Sequence, residues 1–242
     1  MNVLRVIVDQ DGPPTWNMAA DEALLLGEHP ATLRLYGWAP HAVSLGYFQS
    51  LRDFADLPAA TPIVRRLTGG GAIHHGDEIT FALAVDAALL AGEVGDSYRR
   101  LHDEIVVALA AAGVACQRLD AGDAQHARPR QRWCFATPGR DDLVTNRGKL
   151  LGSAQRRIQS PRPRVLHHGS LVLQRPALTP FVAAVDDVAA PPTRPQLRSL
   201  LAAAVARALG LVAQPGQWTA AEHERTASLE PRYRDANFTA RR

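Results

Sequence analysis

The chain has almost no lysine. Of its 27 cationic residues 26 are arginine, and Lys149 is the sole lysine in 242 residues. Cysteine is nearly as scarce, with only Cys116 and Cys134. Two thiols by themselves build neither a zinc cluster nor a secreted disulfide framework. No apolar run approaches the roughly 18 residues of a membrane span, and "MNVLRVIVDQDGPPTWNMAADEALLL" lacks a basic stretch followed by a long apolar one. These absences point to a cytoplasmic chain with no membrane in its function. A dense basic stripe is missing too: the net charge is +3 and the arginines are scattered without interleaved aromatics. That pattern argues against nucleic acid and leaves acidic protein partners open.

What is present begins with a hydrophobic content of 46%, enough to bury a core and fitting one large domain or one with a small appendage; the expectation is a single domain spanning 1–242. "VLRVIVD" (3–9) predicts a strand and "TWNMAADEALLLGE" (15–28) a helix capped by Thr15 or Asn17. "ATLRLYGW" (31–38) and "APHAVSLGYFQ" (39–49) predict two more strands, and "PIVRRLTGGGAIHHGDEITFALAVD" (62–86) a strand, a glycine loop and a strand. "DSYRRLHDEIVVALAAAGV" (96–114) is the clearest helix, with Asp96 or Ser97 as cap and Gly113 closing it. A short strand "ACQRL" and a polar loop at 120–132 follow. Then come a hairpin around "TNRG" within 142–159, a strand at 164–173, a helix at 195–212 interrupted near Gly210, and a polar tail. Hairpins mixed with a few helices predict an α+β fold around a mixed, largely antiparallel sheet flanked by helices.

Four short stretches stand out: "RRLTGGG", "WCF", "GKLLGSAQRR" and "HHGSL". Gly69, Gly70 and Gly71, then Gly152, Ser153 and Ala154, then Gly169 and Ser170 crowd small residues where backbone could lie against a ligand. Each alone reads equally as a turn or bulge. Together with the lone lysine they suggest a narrow groove suited to a thin apolar ligand with a polar head. Lysine is a compact point charge able to give up its proton, and arginine's planar fork does neither. Chance survival or chemistry therefore explains its presence at 149.

In that order, "RRLTGGGAIHHGDEITFAL", "GKLLGSAQRR" and "LHHGSLVL" resemble the lipoate–protein ligase A and biotin/lipoate ligase catalytic family, from "NMAADEALL" to near "PRYRDANF". The resemblance implies that family's catalytic-domain fold and the transfer of an eight-carbon acyl chain to a lysine on a lipoyl carrier domain. It places Arg66, Gly69, Gly70, Gly71 and His75 at the acyl pocket, with Gly152, Ser153, Ala154, His168 and Gly169 beside it. Lys149 matches the family's active-site lysine. His74 and His167 carry no role, and tandem histidines without a third ligand do not imply a metal site.

Two chemistries share the family, an ATP- and Mg²⁺-dependent ligase and a cofactor-free transferase that carries octanoate on a cysteine. "WCFATPGRDDLVTNRGK" places Cys134 fifteen residues before Lys149 and resembles the cysteine-dependent octanoyltransferases. "GRDDLV" (139–144) departs toward the ligases' pattern, with aspartate where they have asparagine. The transferase reading makes Cys134 and Lys149 catalytic, the ammonium favouring thiolate over a thiol of ordinary pKa about 8.5. Cys116 reads as a small core residue. The implied donor is octanoyl-acyl carrier protein. The implied acceptors are lipoyl domains of 2-oxoacid dehydrogenase E2 subunits or the glycine cleavage H protein. A ligase, or a non-catalytic acyl-binding protein, remains the alternative.

Overall fold

Strands that are apolar on both faces need cover on both, and helices supply it here on either side of one large sheet. The computed structural model describes residues 2–90, 92–120 and 132–241. β1 (Val3–Gly12) leads through α1 (Pro14–Leu25) to β2 (Ala31–Trp38). Three short strands follow, β3 (Ala42–Leu45), β4 (Ile63–Arg65) and β5 (Ile73–His75), then the long β6 (Glu78–Asp86). After α2 (Val94–Ala111) come β7 (Gln117–Arg118), β8 (Leu143–Thr145), β9 (Gly148–Ile158) and β10 (Arg164–Val172). The chain ends with α3 (Arg194–Leu209), β11 (Val212–Pro215), α4 (Ala220–Arg234) and α5 (Ala236–Ala240).

The large sheet runs β11-β1-β2-β6-β10-β9-β8-β7, and a small sheet runs β4-β3-β5. β1 is parallel to β2 and β11, and the other pairs of the large sheet are antiparallel. Both β2 and β10 are buried along their whole length. The two-residue period of β2 divides its side chains. Leu33 and Leu35 pack with Leu101 and Ile105 of α2 and Leu201 and Val205 of α3. Tyr36 and Trp38 belong to the cluster that holds Met18, Leu24 and Leu25 of α1 and Tyr233 of α4. The small sheet lies beside this second face, held by Val43, Leu45, Phe54 and Ala72.

The α+β, largely antiparallel expectation matches this arrangement, and β1-α1-β2 adds one parallel crossover. Four local expectations are corrected. α1 is capped by Pro13, not by Thr15 or Asn17; the Asn17 amide is buried and donates to Gly12 O (3.1 Å) and Gly37 O (3.0 Å). α2 begins two residues early with Glu93 as cap, because Gly92 turns the chain at φ +95°. Residues 211–212 leave the helix after Gly210 (φ +67°), and Val212 opens the edge strand β11. The polar tail is largely helical: α4 packs on α1, burying Tyr233, whose hydroxyl donates to Glu22 Oε2 (2.8 Å). The loop expected at 120–132 lies almost wholly outside the described residues. No helix among the described residues is long and apolar enough to cross a membrane.

Candidate active site

Cys134 sits between two aromatic anchors. Trp133 packs edge-on against Phe54 with ring centres 5.6 Å apart, while Phe135 is buried with Val172, Val182 and Ala184. With both neighbours anchored in separate clusters, the backbone between them is fixed. It is fixed again by a parallel bridge to the end of the glycine loop, where Ala72 N donates to Arg132 O and Cys134 N to Ala72 O, both at 2.8 Å. Lys149 stands on β9 at the start of the hairpin strand and is 3% exposed. Its ammonium has three N–H groups and three acceptors: Asp142 Oδ2 at 2.8 Å, Cys134 O at 3.3 Å and Cys134 Sγ at 3.4 Å. The sulfur and the sole lysine therefore face each other.

Asp142 is the member that sequence reading missed. Its carboxylate is itself oriented, accepting from Gly139 N at 2.7 Å. The signal was available in the hairpin: β8 pairs Val144 with Lys149 and Leu143 with Leu151, so an acid one residue before β8 arrives near the lysine. Burial pulls the Lys149 pKa down, but the Asp142 carboxylate and the facing sulfur outweigh it, and the net direction is upward. A raised lysine pKa contributes stability below the unfolded value near 10.5 and loses it as pH rises through the folded value. Asp142→Asn reverses the sign. With the main counter-charge gone, burial dominates, the folded pKa falls, and stability should then drop as pH falls from about 10.5. At neutral pH the variant is expected to lose about 3 kcal/mol, as for one half of a buried pair. Denaturation midpoints between pH 7 and 10 check this; parallel curves for variant and wild type would refute it.

Cys134 lines a cavity of about 320 Å³, within the range of small-ligand sites. The cavity lies between the large sheet's second face (Tyr36, Trp38, Thr80, Gly152, Ala154, His168, Ser170) and the small sheet (Ser44, Ile73, His75). Of the residues expected at the acyl pocket, Arg66, Gly69, Gly70, His75, Gly152, Ser153, Ala154, His168 and Gly169 line it. Gly71 is the exception, and the glycine expectation needs correction there. A Cβ on Gly71 would lie 2.7 Å from Cys134 N, so the missing side chain admits the cysteine's own backbone. Likewise a Cβ on Gly152 would meet Lys149 Cε at 2.2 Å and Nζ at 2.5 Å. Gly71 thus makes room for Cys134 rather than for a ligand, and Gly152, though it lines the cavity, also makes room for Lys149.

Arg66 lines the cavity without an ion-pair partner among the described residues. It spends its N–H groups on neutral oxygens: Gly69 O and Gly71 O at 2.7 Å, Ser44 O at 3.1 Å, Ser44 Oγ at 3.3 Å and Thr68 Oγ1 at 3.2 Å. Burial lowers its pKa to about 10, still charged at neutral pH. The two hydroxyls that accept from Arg66 keep their own protons to donate. Ser44 Oγ meets His75 Nε2 at 2.8 Å, and His75 Nδ1 meets Glu78 Oε1 at 2.8 Å. Thr68 Oγ1 meets His168 Nε2 at 2.6 Å, and His168 Nδ1 meets Asp21 Oδ2 at 3.3 Å. Two hydroxyl–imidazole relays thus join one buried cation to two buried carboxylates. Trp38 Nε1 donates to Thr80 Oγ1 at 2.8 Å, and the Tyr36 hydroxyl to Asp21 Oδ2 at 2.9 Å. Much of the polar lining is therefore satisfied behind the wall, leaving a surface an apolar chain can occupy.

A second chain of hydrogen bonds runs behind β9. Burial holds His102 below the ordinary imidazole value and His167 well below it, so both are neutral. Gln155 Nε2 donates to His167 Nδ1 (2.7 Å), His167 Nε2 to Ser153 Oγ (2.8 Å), Ser153 Oγ to His102 Nε2 (2.8 Å), and His102 Nδ1 to Asp141 O. His167, read as without a role, therefore fixes Ser153 and, through His102, the segment that carries Asp142. His74 lies outside the cavity, accepts from Leu178 N at 3.2 Å, and has its pKa lowered to about 4 chiefly by burial. Cys116 packs at the edge of the core, where burial pushes its thiol up to about 11. Among the described residues no three His, Cys, Asp or Glu side chains gather as a metal-ligand set.

Comparison with known proteins agrees with this architecture. Octanoyltransferase LipM of Kyrpidia tusciae is 33% identical over 276 aligned positions, covering 96% of this chain and 97% of that protein. LipM of Symbiobacterium thermophilum is 35% identical over 265, covering 95% of each. Among solved structures, lipoate-protein ligase A bound with ATP superposes with a TM-score of 0.79 at 18% identity, covering 98% of both chains. A bi-partite lipoate protein ligase from Thermoplasma acidophilum gives 0.72 at 17%, covering 99% of this chain and 97% of its own. The family model described as lipoyl protein ligase A/B catalytic domain matches residues 13–200, and the chain belongs to that family.

Proposed function

We propose that the chain is a cytoplasmic octanoyltransferase that takes octanoate from the thioester of acyl carrier protein and passes it to a lysine of a lipoyl domain, in an E2 subunit or the H protein. The observation that carries the reading is the Cys134 sulfur on the cavity wall, 3.4 Å from the Lys149 ammonium. The relatives named octanoyltransferase LipM support it.

In the first half-reaction the Cys134 thiolate attacks the thioester carbonyl, the bond to the carrier's sulfur breaks, and that sulfur leaves as a thiolate that takes a proton from the Lys149 ammonium as it departs. The Lys149 ammonium stabilises charge on the attacking sulfur. The N–H groups of Gly69 and Gly70, both on the cavity wall, have no acceptor among the described residues and are available to a developing oxyanion. Acylation removes the sulfur's negative charge and with it one of the interactions that raise the Lys149 pKa. Lys149 therefore gives its proton to the departing carrier sulfur more readily and, now neutral, deprotonates the incoming lysine amine. That amine attacks, the amide forms, and Cys134 leaves as a thiolate facing the same ammonium. One thioester replaces another at little cost and the amide lies downhill, so the proposed sequence uses no nucleotide.

The test is intact mass after incubation with octanoyl-acyl carrier protein without ATP. One octanoyl mass is expected on the wild type and on Cys116→Ser, followed by its transfer to an added lipoyl domain. No adduct, with ATP-dependent modification of that domain by free octanoate, would overturn the reading in favour of a ligase.

A further inference from the structure

The rim of the cavity carries a cationic, aromatic patch that the chemistry above does not use. Arg65 is fully buried and ties two distant segments together. It donates to Gly46 O (3.0 Å), Tyr47 O (3.2 Å) and Gln49 O (2.8 Å), and on its other side to Thr239 O (3.1 Å). This clamp sets the loop at 46–49 against α5, giving the tail segment "RDANFTAR" a position beside the site. Arg241 lies 4.2 Å from the Tyr47 ring centre and 4.2 Å from that of Phe238. Arg156, two residues along β9 from the cavity residue Ala154 and therefore on the same face, lies 5.8 Å from the same Tyr47 ring. Tyr47 meets Phe48 edge-on at 5.1 Å, and Phe48, 69% exposed, stands over Gly69, whose Cβ would lie 3.7 Å from it. Gly69 lines the cavity.

Arg156 and Arg241 are exposed, and neither pairs with a carboxylate among the described residues. A guanidinium stacked on a ring keeps its N–H groups in the plane, where they form a fork for phosphate or carboxylate. Two such forks over the Tyr47 ring, with the exposed Phe48 ring set edge-on to it, suit a partner that brings negative charge and an uncharged arm together. We infer that Arg156, Arg241, Tyr47 and Phe48 form the docking surface for the acyl donor, an acidic carrier domain whose acyl group hangs from a phosphate-linked arm. This rests on the thioester-transfer reading. The arginines would take the carrier's carboxylates and the phosphate, and Phe48 the arm, delivering the thioester past Gly69 to Cys134. They would bind the carrier without touching the reacting atoms.

The test follows acylation of Cys134 by intact mass with two donors, octanoyl-acyl carrier protein and the small thioester octanoyl-pantetheine, which lacks both protein and phosphate. The double variant R156E/R241E is expected to lower the second-order rate from the carrier at least about tenfold and leave that from octanoyl-pantetheine unchanged. Added salt should slow the wild type with the carrier but not the variant. Equal losses with both donors, or none with either, would overturn the assignment. So would normal acylation followed by slow transfer to a lipoyl domain, which would give the surface to the acceptor. If neither donor acylates the wild type, the transfer reading itself fails and this surface loses its donor with it.

Discussion

Cys134→Ser is expected to show no octanoyl adduct and to transfer octanoate to a lipoyl domain at least about a thousandfold more slowly than the wild type. The substitution changes one atom on the cavity wall. The Trp133 and Phe135 anchors, the bridge to Ala72 and two of the three Lys149 acceptors remain, namely Cys134 O and Asp142 Oδ2. What goes is the sulfur, whose thiolate is the stronger nucleophile toward a thioester. A hydroxyl beside the same ammonium stays protonated and attacks a thioester poorly. Peptide mapping decides the point: octanoate found at a normal rate on the introduced hydroxyl of the variant, or on Cys116 in the wild type, would end the assignment of Cys134 as the carrier of the acyl group. The Cys116 thiol, pushed up to about 11 by burial, has little thiolate to offer.

Lys149→Arg should fold and still lose about a thousandfold in transfer to the lipoyl domain, the scale of a general-base contribution. The ammonium sits in a space cut to its size. Its three N–H groups each have one acceptor, and the missing side chain at Gly152 leaves room for Cε and Nζ. A planar guanidinium carries its charge farther out, cannot match three converging acceptors, and does not release its proton. Charge alone helps the first half-reaction, whereas proton removal from the acceptor amine belongs to the second. Single-turnover kinetics should therefore show adduct formation falling less than its discharge. Near-normal discharge in the variant would remove the proton-transfer role, and equal losses in both steps would reduce Lys149 to an electrostatic partner.

Much of this site is legible in one dimension. The pairing of the lone lysine with the cysteine in "WCF" is legible through the motifs' resemblance to the family, where residue type and order alone leave Cys134 a small core residue. The strands at 31–38 and 164–173, the hairpin around "TNRG" and the glycine loop all follow from local period and turn chemistry. The tail escapes local reading because α4 and α5 are polar along most of their length and bury few side chains, so no apolar stripe announces them. They pack through scattered residues: Tyr233 in the second-face cluster with Leu229 and Phe238 against it, and the Tyr233 hydroxyl on Glu22. The caps of α1 and α2 escape it for a related reason: Pro13 and Gly92 turn the chain through the backbone, without a side-chain cap to betray the boundary.

The amino-acid sequence by itself determined which chemistry was possible, because only one lysine exists and only two thiols, and it determined the local strands and turns that present them. Tertiary structure decided what each small residue makes room for: Gly71 for the cysteine's backbone and Gly152 for the lysine's side chain. It also decided that Asp142 faces Lys149, that Arg66 reaches two carboxylates through two histidines, and that the tail forms part of the rim. Local pattern reports which face of an element is apolar. It carries no information about which distant atom fills the space beyond that face, since this depends on the packing of segments tens to hundreds of residues apart.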